Sequence, residues 1–247
     1  MHLTQWVMSR FNRAMLKSTD WLRAGLPGYC AFCLAPGVCS SGWCHECFRS
    51  LPWNNNGCLR CKDPLTSASF PQRQPLCGHC MTSPPAYTVT VAELLYQGPV
   101  IELLHDFKFN ASSRAGTLIA ELMLTCTPPA LGDALLPVPM YPSRARERGF
   151  NQAHWLASQL GRRLELPVVK AASTQHLPSQ RSLNRRQRMA NMVGAFRVSS
   201  ALPAHVTIID DVVTTGATGH ALAIAALEAG AERVDIWAAA RTPLDKS

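Results

Sequence analysis

Two adjacent carboxylates, Asp210 and Asp211, stand in the stretch H-V-T-I-I-D-D-V-V-T-T-G-A-T-G, which runs from His205 to Gly219. The run before them, Val206 to Ile209, has no polar alternation beyond Thr207. It therefore reads as a strand buried on both faces of a parallel sheet. In open α/β sheets, ligands bind outside the carboxyl ends of the strands, and that is where the two acids fall. The loop that follows, Thr214, Thr215, Gly216, Ala217 and Thr218, carries no side chain larger than threonine. Its backbone N–H groups can close around a phosphate, and a helix over roughly 218–229 points its positive end there. The carboxylates are acceptors suited to ribose hydroxyls or to a magnesium ion. The plainer alternative is a strand and turn whose Asp and Thr cap a helix.

Ten cysteines carry a second chemistry. Eight form four C-x-x-C pairs: Cys30/Cys33, Cys44/Cys47, Cys58/Cys61 and Cys77/Cys80. A C-x-x-C turn aims two thiolates at one tetrahedral metal, so four turns predict two structural zinc sites. Disulfides belong to a secreted context, which the absence of a signal peptide argues against, and a redox dithiol is normally a single pair. Sequential pairing is the simpler arrangement, although a cross-braced one (30/33 with 58/61, 44/47 with 77/80) is sterically open. His45 and His79 lie inside the turns and could replace a sulfur. Cys39 and Cys126 are spare, the latter ending an apolar helix. Prolines and the N-N-N-G turn at 54–57 leave room only for hairpins and knuckles, so folding of this segment should depend on metal.

The third chemistry is cationic. The net charge of +8 comes from 19 Arg against 5 Lys, and arginine is the residue for bidentate contact with phosphate. Arg144, Arg146 and Arg148 alternate within five residues, so in a loop they converge on one polyanion. Arg185 and Arg188 belong to a polar stretch from His176 to Asn191 with few apolar anchors, a pattern typical of a functional lid. Between Arg144 and Arg197 there are ten Arg and one Lys against Glu147 and Glu165. That is the footprint of a phosphate-rich ligand, or else of a solvated basic face.

The elements that must hold these groups follow from periodicity. Thr88–Tyr96 reads as a strand, and Val100–Phe107 as a helix ended by Lys108. Ser112 or Ser113 caps a helix running to about Thr125. Ala134–Met140 and Leu166–Val169 read as strands, with a helix from about Asn151 to Leu164 between them. Arg233–Ala239 closes the sheet, and Arg241-Thr-Pro is its exit. The domains are a basic amphipathic helix over residues 1–26, packed on the rest or touching a membrane surface or nucleic acid, a cysteine-rich segment over 27–83, and an α/β domain over 86–247. No run of about 18 apolar residues occurs, which predicts no transmembrane segment and a cytoplasmic protein.

The stretch I-I-D-D-V-V-T-T-G-A-T resembles the phosphoribosyl pyrophosphate signature of type I phosphoribosyltransferases. The whole chain from Cys30 to Arg241 resembles the ComF/GntX family, through its zinc-ribbon head, L-L-H-D-F-K, V-P-M-Y-P-S-R-A-R-E-R-G-F-N-Q, Q-R-S-L-N-R-R-Q-R-M-A-N and the acidic signature. The resemblance implies a type I phosphoribosyltransferase-like doubly wound, mainly parallel sheet preceded by a double zinc ribbon. It further implies that Asp210 and Asp211 hold the ribose hydroxyls, Thr214 to Thr218 the 5-phosphate, Arg144 to Arg148 the pyrophosphate, and Arg185 and Arg188 a mobile loop over the site. Magnesium would accompany the phosphoribosyl pyrophosphate, and His105 and Lys108 match an L-[IL]-H-x-x-K pattern. One departure is Leu183-Asn184-Arg185, where the family reads L-S-R.

Members of the family are implicated in natural competence or in the use of DNA as a nutrient. Two functions stay open on sequence alone. One is transfer of a phosphoribosyl group to an acceptor the chain does not name. The other is a non-catalytic module that holds a phosphorylated ribose or single-stranded DNA while the ribbons dock other competence or DNA-processing proteins.

Overall fold

The structure is a computed structural model that describes residues 28–38, 42–65, 75–141, 149–173 and 194–244. The N-terminal segment 1–26 and the five site arginines, Arg144, Arg146, Arg148, Arg185 and Arg188, lie outside the described residues. The chain divides into two compact units, Met1–Leu51 and Pro52–Ser247.

In the first unit, strands β1 (Gly28–Tyr29) and β2 (Pro36–Val38) pair antiparallel and lead to a one-turn helix, α1 (His45–Arg49). Cys44 caps that helix by accepting the Cys47 N–H on its sulfur, and Trp43 stacks on Phe48 with ring centroids 5.8 Å apart. So small a unit has little apolar surface to bury, and its organisation rests on its cysteines.

The second unit opens with a cysteine knuckle that includes the short helix α2 (Gly78–Thr82). The second pair of C-x-x-C turns thus belongs to the same compact unit as the sheet. The sheet is built from β3 (Thr90–Val91), β4 (Leu94–Leu95), β5 (Ala134–Pro137), β8 (His205–Val213) and β9 (Arg233–Arg241). Its spatial order is β3-β9-β8-β5, every pairing is parallel, and β4 continues along the same edge of β9 as β3. The single strand expected over Thr88–Tyr96 is therefore two pieces interrupted at Ala92 and Glu93. Residues 52–54 cover the outer edge at the break, with Trp53 bridging Leu94 and Asn54 N–H donating to the Glu93 carbonyl at 2.7 Å. An edge dressed this way is closed to further strands.

Helices α3 (Pro99–Phe109), α4 (Ser113–Thr125), α5 (Gln152–Leu164) and α6 (Ala217–Glu228) complete the α/β unit. Ser112 caps α4 by accepting the Ala115 N–H, and Asn151 caps α5 by accepting from His154. Period-two alternation splits the central strands between two faces. Val206, Ile208, Val234, Ile236 and Ala238 join Leu222, Ala223 and Ala226 of α6 in one core, while Trp237 and Ala239 meet Leu104, Ile119 and Met123 of α3 and α4. The strand expected at Leu166–Val169 reduces to one parallel bridge, Val168 opposite Leu135. Pro167 has no N–H with which to extend the ladder. The true strand lies just beyond: β6 (Ala171–Ser173) pairs antiparallel with β7 (Phe196–Val198). No helix among the described residues is long and apolar enough to cross a membrane.

Candidate functional site

Strand β8 is longer than its apolar run. It continues through both acids to Val213, with Asp210 opposite Ala238 and Val212 opposite Ala240 of β9. The carboxylates are thus fixed on a central strand rather than on a loop. Each accepts the next backbone N–H: Asp210 Oδ1 from Asp211 and Asp211 Oδ1 from Val212, both at 2.8 Å.

The two acids differ electrically. Burial, and then the neighbouring Asp211 charge, push Asp210 well above the usual carboxylate range. Burial acts upward on Asp211 as well, but the charge and hydrogen bond of Lys108, joined by the Val212 N–H and Asp210, hold that carboxyl below its ordinary value. Lys108, near the end of α3, reaches Asp211 Oδ2 at 2.8 Å, and its own carbonyl accepts from Gln152 Nε2 at 3.4 Å. The two carboxyls are therefore biased in opposite directions, Asp210 holding its proton more tightly than an ordinary carboxyl and Asp211 less tightly, and side by side they suit a pair of polyol hydroxyls.

Beyond Val213 the chain turns through Gly216, whose φ of +77° suits a residue without a Cβ. A Cβ at Gly216 would lie 2.6 Å from the phenol oxygen of Tyr87. Tyr87 is thus the floor of the loop. The N-cap of α6, Gly216, has no side chain to offer; Thr215 takes the Ala217 N–H, and the N–H groups of Thr218 and Gly219 come next at the positive end of the helix. Thr214 is exposed and Thr218 half-buried, whereas Thr215 is buried with its hydroxyl accepting from Ala217 N–H at 3.4 Å. Asp210, Thr214, Gly216 and Thr218 line one pocket with Val212 and Gly219. Five of the seven predicted residues, Asp210, Asp211, Thr214, Gly216 and Thr218, offer groups at this end of β8; Thr215 and Ala217 serve the turn itself.

Val138, one residue past β5, donates its N–H to the Ile209 carbonyl at 2.9 Å, beside Asp210. Ser173 and Phe196 pair across β6 and β7.

Sequence reasoning missed three residues. Tyr87 lies in no motif. Lys108 was visible only through its place in L-[IL]-H-x-x-K. Arg241, read as the exit from the sheet, is its most deeply buried charge, at 0% exposure.

The eight paired cysteines resolve into two clusters, Cys30/Cys33/Cys44/Cys47 and Cys58/Cys61/Cys77/Cys80, with the sulfurs of each cluster within 4.8 Å of one another. Pairing is sequential. Sulfur separations of 3.8 Å (Cys33 to Cys44) and 3.7 Å (Cys61 to Cys77) match the edge of a tetrahedron with metal–sulfur bonds of about 2.3 Å. They are far longer than the roughly 2.05 Å of a disulfide. Backbone N–H groups favour thiolate in each knuckle: Cys44 donates to Cys30 Sγ at 3.4 Å and Cys77 to Cys58 Sγ at 3.2 Å. Burial raises the Cys30 pKa, but N–H donors from Cys33, Cys44 and Phe32 bring it down to about 6. The donor sets fit two zinc sites. Neither His45 nor His79 belongs to a cluster, and Cys126 is a thiol whose pKa burial raises.

No family model matches the chain. Relatives do: the chain is 32% identical over 235 residues to DNA utilization protein YhgH of Escherichia coli K12, covering 88% of this chain and 98% of that protein. The chain belongs to the ComF family. Competence protein F of Haemophilus influenzae is 30% identical over 220 residues, covering 83% of this chain and 90% of that one. Competence protein ComFC of Bacillus subtilis is 33% identical over 141 residues, covering 57% and 53% respectively. The ComF assignment spans both the cysteine clusters and the acidic strand.

Proposed function

We propose that this ComF protein binds phosphoribosyl pyrophosphate at the carboxyl end of β8, transfers its phosphoribosyl group, and works in the use of imported DNA. The observation that carries the reading is the junction of Asp210 and Asp211 with the Gly216 loop on one continuous strand and turn. Ribose hydroxyls fit the acids, and a 5-phosphate fits the N–H groups from Thr214 to Thr218. Asp211, beside the Lys108 ammonium, accepts from one hydroxyl, and Asp210 pairs with the next. Fixed acceptors of this kind act mainly by holding the sugar and stabilising positive charge as it develops on the ring.

Magnesium, held with the diphosphate near Asp210 and Asp211, would supply neutralisation of the leaving group. Arg144, Arg146 and Arg148 are the residues we assign to the pyrophosphate, and Arg185 and Arg188 to cover over the site; a lid that excludes water suppresses hydrolysis of the donor. The names of the relatives support a role in DNA utilisation or competence; we place that role in the cytoplasm and assign competence or DNA-processing proteins to the cysteine-rich ribbons as partners.

Calorimetry with phosphoribosyl pyrophosphate and magnesium tests the reading. Asp210→Asn combined with Asp211→Asn should abolish binding, and unchanged affinity would defeat it. A second reading, a non-catalytic single-stranded DNA module, draws on His105 and Phe109, whose rings sit 4.7 Å apart with Phe109 56% exposed. Such a pair is a stacking platform for a base. Oligonucleotide affinity that rises steeply as salt is lowered, without any affinity for the pyrophosphate donor, would favour that reading.

A further inference from the structure

The guanidinium of Arg241 is fully buried and touches two places that chemistry would not otherwise connect. On one side Nε donates to the carbonyl of Cys61 at 3.0 Å, and Nη2 to Asp63 Oδ1 at 3.3 Å. Both acceptors belong to the second cysteine knuckle, where Cys58 N–H donates to the Asp63 carbonyl at 2.8 Å and Lys62 N–H to the Cys58 carbonyl at 2.7 Å. On the other side Nη1 donates to the carbonyls of Val213, at 3.0 Å, and of Thr214, the first residue of the phosphate loop. The Thr242 carbonyl also accepts from Nη1 at 2.7 Å, and Leu244 N–H closes on Asp63 Oδ1 at 3.1 Å.

Arginine is suited to such a post because its planar fork carries five donors in fixed directions and stays charged when buried. Its charge is met by Asp63, itself 8% exposed, and its remaining donors by carbonyls whose positions the knuckle and the loop define. The second cysteine knuckle and the end of β8 are therefore two halves of one hydrogen-bonded unit. We infer that the second cysteine cluster positions the phosphate loop: metal on Cys58, Cys61, Cys77 and Cys80 fixes the Cys61 carbonyl and Asp63, and Arg241 transmits that geometry to Val213 and Thr214. Arg241 is a positioning residue, and the cluster is a structural part of the donor site. The consequence for donor affinity rests on the reading of that site given above; the coupling itself does not.

The test compares backbone hydrogen exchange over residues 213–218 in the full zinc-loaded chain, Cys77→Ser, Arg241→Lys and the double variant, with zinc content measured by native mass spectrometry. Arg241→Lys keeps the charge and both metals but loses the fork, and should raise exchange over 213–218 by at least about tenfold, the change in local opening that goes with losing a hydrogen bond to a charged group. Cys77→Ser should do the same through loss of one zinc. In the double variant, the loss of zinc should add little further change at the loop, because the connection is already cut; a merely stabilising role for Arg241 would instead give additive effects.

Exchange over 213–218 unchanged in Arg241→Lys, or effects that simply add, would overturn the inference. Should Cys77→Ser fail to fold, titration of the parent chain and of Arg241→Lys with a zinc chelator takes its place, with exchange over 213–218 read against zinc content. Titration of the same proteins with phosphoribosyl pyrophosphate separates the two claims. No binding by the parent chain removes the donor reading, while the exchange data decide the coupling alone.

Discussion

The contact between Lys108 and Asp211 makes a prediction with a defined pH dependence. The charges lie 2.8 Å apart, with side-chain exposures of 28% and 14%. At an effective dielectric constant of about 20, their attraction is about 6 kcal/mol, offset in part by the desolvation of both ions. Lys108→Met keeps the apolar stem and deletes the charge, after which Asp211 relieves itself by taking up a proton. That route bounds the cost. Protonating a carboxyl of ordinary pKa, about 3.9, costs about 4 kcal/mol at pH 7 and about 1.5 kcal/mol at pH 5.

In the parent chain the depressed pKa of Asp211 contributes stability above the unfolded carboxyl's pKa, and that stability is lost as pH falls through the folded value. In the variant the sign reverses. Asp211 then holds its proton more tightly folded than unfolded, so stability is lost as pH rises from about 4. Asp210 moves the same way, since Lys108 also draws its pKa down. Urea unfolding of both chains at pH 5, 6 and 7 should therefore show a destabilisation near 3 kcal/mol at pH 7 that shrinks to about 1 kcal/mol at pH 5. A difference that stays flat to within about 0.5 kcal/mol over that range would refute the assignment of Lys108 as the counter-ion.

Two further expectations concern the loop and the metals. Gly216→Ala should cost about 1–2 kcal/mol for the left-handed backbone alone, with added crowding against Tyr87, lowering the melting temperature by several degrees. Tyr87→Phe in that background should recover part of the loss, and a double variant no better than additive would show that the phenol is not the obstruction. Native mass spectrometry of the parent chain should find two zinc ions, and Cys33→Ser should leave one; a parent with a single zinc would contradict the paired clusters.

What the sequence made legible follows the range of the interactions. The strand through Val206 and Ile208 announces itself by an apolar run broken only at Thr207, the helix after Gly216 by the apolar run from Ala221 to Leu227, and Ser112 and Asn151 by capping chemistry within three residues. The C-x-x-C spacing states its own geometry, and the sequential pairing follows from proximity along the chain. The misses are of another kind. Val168 and Val169 have strand-forming side chains, but Pro167 lacks the N–H a ladder needs, so only one bridge forms. Lys108 meets Asp211 across 103 positions, and Arg241 meets Cys61 across 180. No local periodicity encodes such meetings, and a terminal arginine after an apolar strand looks solvent-bound until the tertiary fold surrounds it.

The position of β9 has a consequence for how the molecule is made. It is the last strand in the chain yet lies inside the sheet, paired with β8 on one side and with β3 and β4 on the other. Thr90 must wait for Ile236, its partner in register. At synthesis rates of about 5–20 residues per second, that wait is on the order of 10 s. Once β8 has been made, it has only β5 beside it until β9 follows, and the apolar edges that β9 will cover stand open to other chains. Arg241 arrives last of all, so the knuckle and the phosphate loop are joined only when the strand order is complete. Nascent chains stalled before residue 233 should consequently be the aggregation-prone form of this protein and a target for chaperones.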